Sequence, residues 1–177
     1  MKTKAISFAV VRRQALLTAL AVTVAVALPQ LCHLLGGQLG LGTALGEMLL
    51  PMHLPVMLAG LLWGPWVGFA CGVLSPIVSF ALTGMPLAAM VPFMTVELAV
   101  YGLCAGALSG HSMPTVGKVL LAQVAGRVAR ALVLAAAVSM ELTRLPVSLI
   151  WTSITVGAAG ILLQLVLLPA VLRAVRR

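Results

Sequence analysis

Three charged residues stand where the chain is otherwise apolar. Glu97 lies in the run 87–108, and Arg127 and Arg130 lie three apart in the run 115–138. A charge near the centre of a bilayer costs at least about 2.5–3.5 kcal/mol on insertion scales, so such residues face a protein interior and pair there or meet a solute. A helix rises ~1.5 Å per residue and the hydrocarbon core is ~30 Å thick. Glu97 comes ten residues after Leu87, at the outer end of its run, and Arg127 comes twelve after Thr115, at the inner end of the next. Both fall near mid-depth, so Glu97 is expected to pair with Arg127. The pair suits either a ligand site or the fixing of helix register. Arg130, a turn nearer the outside, has no acidic residue at its depth. It is the candidate for contact with a ligand anion, because a guanidinium offers a planar donor fork that matches carboxylate or phosphate.

Weaker candidates lie toward the outer ends of the apolar runs. His53, between Pro51 and Pro55, and Tyr101, Thr152 and Thr155 could hydrogen-bond a solute, with Ser75, Ser79 and Ser153 near them. No catalytic residue is expected. The zinc-helix, nucleophile-elbow and phosphate-loop patterns are absent. The chain has no Asp or Asn, which removes the residue supply for a hydrolytic ATPase, a di-metal site or an aspartyl protease. Cys32, Cys71 and Cys104 are far apart in apolar runs, so neither a metal site nor a disulfide framework is expected, and no cofactor is implied.

The elements that must position these groups follow from composition. The 177 residues are 62% hydrophobic and 8% charged, against about 25% charged in a soluble domain. The chain reads as an all-α integral membrane protein, a single transmembrane domain over residues 1–177. Six spans are expected over about 14–35, 51–62, 66–82, 87–108, 115–138 and 147–172. The glycine-rich stretch from Gly36 to Glu47 reads as a loop folded back on the protein, since glycine is costly inside a helix. Pro76 is expected to kink the third span. An even number of spans puts both termini on one side. Lys2, Lys4, Arg12, Arg13, Arg173, Arg176 and Arg177, with Lys118 beside them, make that side cytoplasmic by the positive-inside rule. Glu47, His53, Glu141 and Arg144 then fall on the other side. The basic N-terminus and Ala25-Val26-Ala27 have the outline of a signal peptide, but the apolar run is long enough to span, so an uncleaved first helix is expected. The net charge of +8 sits at chain ends and loops, without the aromatic interleaving of a nucleic-acid surface.

Small residues mark close helix approach. Ala15 and Ala19 are four apart near the start of span one, Ala122 and Gly126 repeat the spacing in span five, and Gly157 to Gly160 form a small patch in span six. With these, the run from Leu50 to Gly68, then Ser75-Pro76, Thr83-Gly84-Met85-Pro86, Glu97 to Gly102 and Ala125-Gly126-Arg127, the chain resembles the substrate-binding S-components of energy-coupling factor (ECF) vitamin transporters over almost its whole length.

The resemblance implies capture of a vitamin or precursor at the outer face, under loops that follow spans one and three. It also implies docking on a membrane coupling subunit through a small-residue face matching Ala15 and Ala19, and uptake powered by two cytoplasmic ATPase subunits. It places the protein in a bacterial plasma membrane. The charged residues favour an anionic solute such as pantothenate, lipoate or a phosphorylated compound, while a neutral cobalamin precursor stays open. Two other classes fit the residues alone: a stand-alone proton-coupled carrier that titrates Glu97, and a membrane scaffold that binds no solute.

Overall fold

The computed structural model describes residues 8–175, so Lys2, Lys4, Arg176 and Arg177 lie outside the described residues. Every regular element among them is helical: α1 (Phe8–Gln38), α2 (Ala44–Leu49), α3 (His53–Trp63), α4 (Pro65–Thr83), α5 (Val91–Leu108), α6 (Thr115–Ser139), α7 (Leu149–Val156) and α8 (Ala158–Val175), with one 3-10 turn, Ala88–Met90, ahead of α5. Six stretches are long and apolar enough to cross a membrane: Phe8–Gln38, Ala44–Trp63, Pro65–Thr83, Ala88–Leu108, Thr115–Ser139 and Ala158–Val175.

Lipid offers no hydrophobic drive for one helix to join another, so close packing and interhelical hydrogen bonds must hold such a bundle. The centre is α5, packed by α3, α4 and α6, with α1 against α3 and α4. Gly60, Gly64, Gly68 and Gly72 follow one another at intervals of four, and Gly102 and Gly106 repeat the spacing. A methyl group on Gly68 or Gly72 would strike the backbone of α5, one on Gly102 would strike Gly68, and one on Gly106 would strike Pro65. These glycines let three helices cross backbone to backbone. A left-handed residue, Gly64 at φ 96°, is the whole connection from α3 to α4.

The glycine-rich stretch is shorter as a loop than the sequence predicts. α1 runs on through Gly36 and Gly37, and only residues 39–43 form the turn before α2. The carbonyl of Gly36 accepts the backbone N–H groups of Leu41 (2.7 Å) and Gly42 (3.1 Å), and a side chain at 36 would collide with the Gly42 carbonyl. Glycine serves here to let the chain fold back closely, and the turn's hydrogen bonds offset its helix cost. Span two is likewise longer than expected. It begins at Ala44 and is broken at residues 50–52, where Leu50 is a non-glycine residue with φ 49°.

The expected last span is divided. α7 stops at Val156 and α8 starts at Ala158. The Leu50 side chain occupies the room left by Gly157, and the backbone of Met48 and Leu49 lies against Gly160. The Gly157–Gly160 patch therefore receives the α2–α3 junction. A polar chain fixes the same junction: Gln123 Nε2 on α6 donates to Gln164 Oε1 on α8 (2.9 Å), and Gln164 Nε2 donates to the Leu50 carbonyl (3.3 Å). Lys118 also differs from expectation. It is buried, with Nζ donating to the Ser109 carbonyl (2.8 Å) just past α5, so it satisfies a helix C-terminus. Pro76 is accommodated within a continuous α4.

The glycine crossing predicts that Gly102→Leu prevents α4 and α5 from packing and yields aggregated protein on size exclusion in detergent. Gly37→Ala is the control. Nothing lies within 4 Å of a methyl group there, and melting should be unchanged or raised by up to about 1 kcal/mol of stability.

Candidate functional site

Glu97 projects from the buried face of α5 and is completely buried. Tyr101, one turn on, shares that face, and its hydroxyl donates to Glu97 Oε1 at 2.9 Å. The Tyr101 ring lies against Gly126 of α6, where a side chain would displace it. α6 brings both arginines to the same carboxylate. Arg130 Nη1 donates to Oε2 at 2.9 Å, and Arg127 Nη1 stands 3.8 Å from Oε1. His53, the first residue of α3 and 4% exposed, places Nε2 3.9 Å from Oε1 and tilts its ring over Tyr101 with centroids 5.3 Å apart. One carboxylate thus gathers three helices and two guanidinium groups, and the cluster retains one unit of positive charge from the arginines.

Glu97 does meet Arg127, as the sequence predicts, but Arg130, expected to have no acidic partner, is paired with it too and more closely. The short contact is with Arg130, and Arg127 is the longer one. The depth argument began the Glu97 helix at Leu87, whereas α5 starts at Val91 after the 3-10 turn Ala88–Met90. Glu97 consequently lies about a turn nearer the outer end, level with Arg130. Arg127 turns its Nη1 to the Ser153 carbonyl of α7 (3.3 Å). The Nε atoms of both arginines are buried without a hydrogen-bond partner.

Beside the cluster lies a cavity of about 420 Å³, within the range of ~300–1,000 Å³ usual for small-molecule sites. α1 contributes Pro29, Gln30 and His33 to its wall. The α2–α3 region contributes Gly46, Glu47, Leu50, Pro51, Met52 and His53. Ser79, Met85, Pro86, Leu87, Met90 and Met94 form another side, and Leu149, Thr152, Ser153 and Val156 of α7 a third, with Arg130 among them. The connection after α4 therefore reaches the wall through Met85, Pro86, Leu87 and Met90, whereas α1 and α2 themselves, and not the turn 39–43 between them, border the cavity on the other side. A second hollow, of about 10 Å³ between Arg127, Arg130, Ile150, Ser153 and Ile154, has room for a water at most.

Of the residues singled out from sequence, His53, Arg130 and Thr152 line the cavity, as do Ser79 and Ser153. Glu97 and Tyr101 stand behind the wall and hold it. Arg127 faces the small hollow. The Thr155 hydroxyl donates back to the Trp151 and Thr152 carbonyls of its own helix and is not on the wall. Sequence reasoning missed Gln30, His33, Glu47 and the methionine side of the cavity. Gln30 and His33, three apart in an otherwise apolar span, were a legible signal. Met85, Met90 and Met94 cluster in sequence, and methionine's flexible thioether suits an irregular binding wall.

A family model described as the substrate-specific component of ECF transporters matches residues 11–172. No curated protein and no solved structure matches the chain.

The shared carboxylate predicts an unequal set of stabilities. Glu97→Gln leaves two buried guanidinium groups without an anion and should lower stability by ~3–5 kcal/mol, the cost of breaking a buried pair. Arg130→Gln should cost less, because Glu97 keeps Arg127, and the double variant should recover part of the Glu97→Gln loss. Thermal unfolding of the solute-free protein in detergent reads all three. A Glu97→Gln protein that melts with wild type would show that the carboxylate does not hold the cluster.

Proposed function

This chain belongs to the substrate-specific components of ECF transporters, multi-pass membrane proteins that are transporter subunits rather than enzymes, and we propose that it captures a small anionic micronutrient, a vitamin or vitamin precursor, for ATP-driven uptake. The observation that carries this reading is Arg130. It stands on the cavity wall while held by a carboxylate that Arg127 also faces, so the buried end of the wall presents positive charge that Glu97 does not fully neutralise, while the one carboxylate lining the cavity, Glu47, belongs to an exposed residue of α2. Its Nε and remaining N–H groups are donors for a carboxylate or phosphate. The apolar remainder of the cavity, with Pro29, Leu50, Leu87 and Val156 beside the methionines, suits the organic body of such a molecule.

In this reading the cavity opens to the outer face and both termini are cytoplasmic, in a bacterial plasma membrane. The positive charge of Arg12, Arg13 and Arg173 near the chain ends supports that orientation. The α1–α2 turn and the 84–90 connection serve as covers over the solute. Ala15 and Ala19 lie one turn apart on α1 and are exposed, so backbone-close docking of the membrane coupling subunit is sterically open to them. Two cytoplasmic ATPases then power the cycle. Family membership favours this reading over a stand-alone proton-coupled carrier or a scaffold.

Two outcomes test it. Mass spectrometry of small molecules that co-purify with the protein should find a species bearing a carboxylate or phosphate, and Arg130→Gln should reduce its retention by roughly ten- to a hundredfold, the value of a hydrogen bond to a charged group. Recovery of a neutral species only, at equal occupancy in both proteins, would remove the anion from the proposal. Separately, Ala15→Trp with Ala19→Trp should abolish pull-down of the coupling subunit while solute retention stays as in wild type. Undiminished pull-down would move the docking face elsewhere.

A further inference from the structure

His53 carries a polar atom that neither the ion cluster nor the helix uses. Its side chain is 5% exposed and lines the cavity, yet Nδ1 is buried with no hydrogen-bond partner. A buried imidazole nitrogen left unpaired is costly and calls for a partner. The other ring nitrogen, Nε2, faces Glu97 Oε1 at 3.9 Å, and that oxygen already accepts the Tyr101 hydroxyl. A neutral ring that directs its N–H toward this carboxylate carries the proton on Nε2 and presents Nδ1 as a lone pair, an acceptor. His33, on the α1 part of the wall, shares one feature: its ring packs over Gly46, and its Nδ1 is buried and unpartnered.

The cavity is therefore two-sided. Arg130 offers N–H donors to an anion, and His53 offers an acceptor. The two cannot be far apart, since Arg130 Nη1 and His53 Nε2 contact the two oxygens of one carboxylate group. We propose, resting on the reading of the cavity as an anion-binding solute site, that the solute carries a hydroxyl or N–H donor close to its acid group, and that His53 Nδ1 reads that donor. The chemical class is a hydroxylated or amino-substituted small acid, and an acid with a purely apolar remainder is selected against. Such a solute completes the imidazole's hydrogen bonding, whereas an acid without a donor buries Nδ1 unpaired, and that difference sets the discrimination.

The test uses the full-length protein in nanodiscs, exposed to a total aqueous metabolite extract of bacterial cells, washed, and analysed for retained molecules by mass spectrometry. Wild type, His53→Phe and His53→Asn are compared. Asn places its side-chain oxygen where Nδ1 stands and keeps the acceptor. Phe keeps the ring and removes it. The expected result is retention of acids that bear a hydroxyl or N–H group, with His53→Phe weaker by roughly five- to tenfold, the worth of one hydrogen bond, and His53→Asn close to wild type. Retained acids that lack any such donor, or equal retention by His53→Phe, would overturn the role of His53 while leaving the anion site standing. If wild type retains no acid at all, the anion site fails and this inference with it. Should His53→Phe fail to fold on size exclusion, His53→Asn decides alone: loss of the donor-bearing acids in a folded His53→Asn protein overturns the proposal.

Discussion

A carboxylate sealed among membrane helices cannot exchange its hydration for anything weaker than charge-assisted hydrogen bonds. Glu97 is in that position, and the arrangement around it follows from the need to satisfy it. Tyr101 and Arg130 supply its two 2.9 Å contacts, Arg127 and His53 stand just outside hydrogen-bonding distance, and these four come from three helices. The register of α5 against α6 is fixed by that meeting, and so is the rotation of α3 at its first residue. Gly126 exists within this constraint, because the Tyr101 hydroxyl reaches the carboxylate only if its ring can lie flat on α6.

The same cluster sets the character of the cavity. Arg130 is at once a partner of Glu97 and part of the wall, so the electrostatics of the bundle core are presented to whatever enters. Arg127 extends the network outward to the Ser153 carbonyl of α7, a short helix with no buried residue of its own. On the far side, the Gln123–Gln164 pair holds the Leu50 carbonyl and with it the left-handed break between α2 and α3. The wall thus joins short pieces anchored by single polar contacts to faces of the long helices, and behind it α3, α4 and α5 are in backbone contact.

Much of this was legible in the sequence, and the remainder failed for identifiable reasons. The helical membrane architecture followed from composition and from the length of apolar runs, and Glu97, Arg127 and Arg130 announced themselves as charges in apolar surroundings. Depth counted from Leu87 puts Glu97 level with Arg127 and leaves out its closer partner Arg130, whereas Pro92, in the first turn of α5, marks the later helix start. Glycine's helix cost alone predicts one loop over residues 36–47 and leaves out the turn that Gly36 makes possible. Gly60, Gly68 and Gly72, which stand at the α3–α4–α5 crossing, share a plain spacing with Gly64 that the reading of small-residue pairs left out. The methionine wall was legible only in part: Met85, Met90 and Met94 cluster in the sequence, but an apolar residue carries no sign of which face will border a cavity.

The glycine crossing also bears on how this chain can change over generations. Where three helices meet with no side chains between them, there is nothing to repack: a substitution either collides with backbone or is not made. Substitution is thereby costly at the crossing and freer in the short pieces that border the cavity, where a changed side chain reshapes the wall without meeting the crossing's backbone. A bundle so built can exchange one cargo for another through a few substitutions at its rim, while the crossing keeps its form.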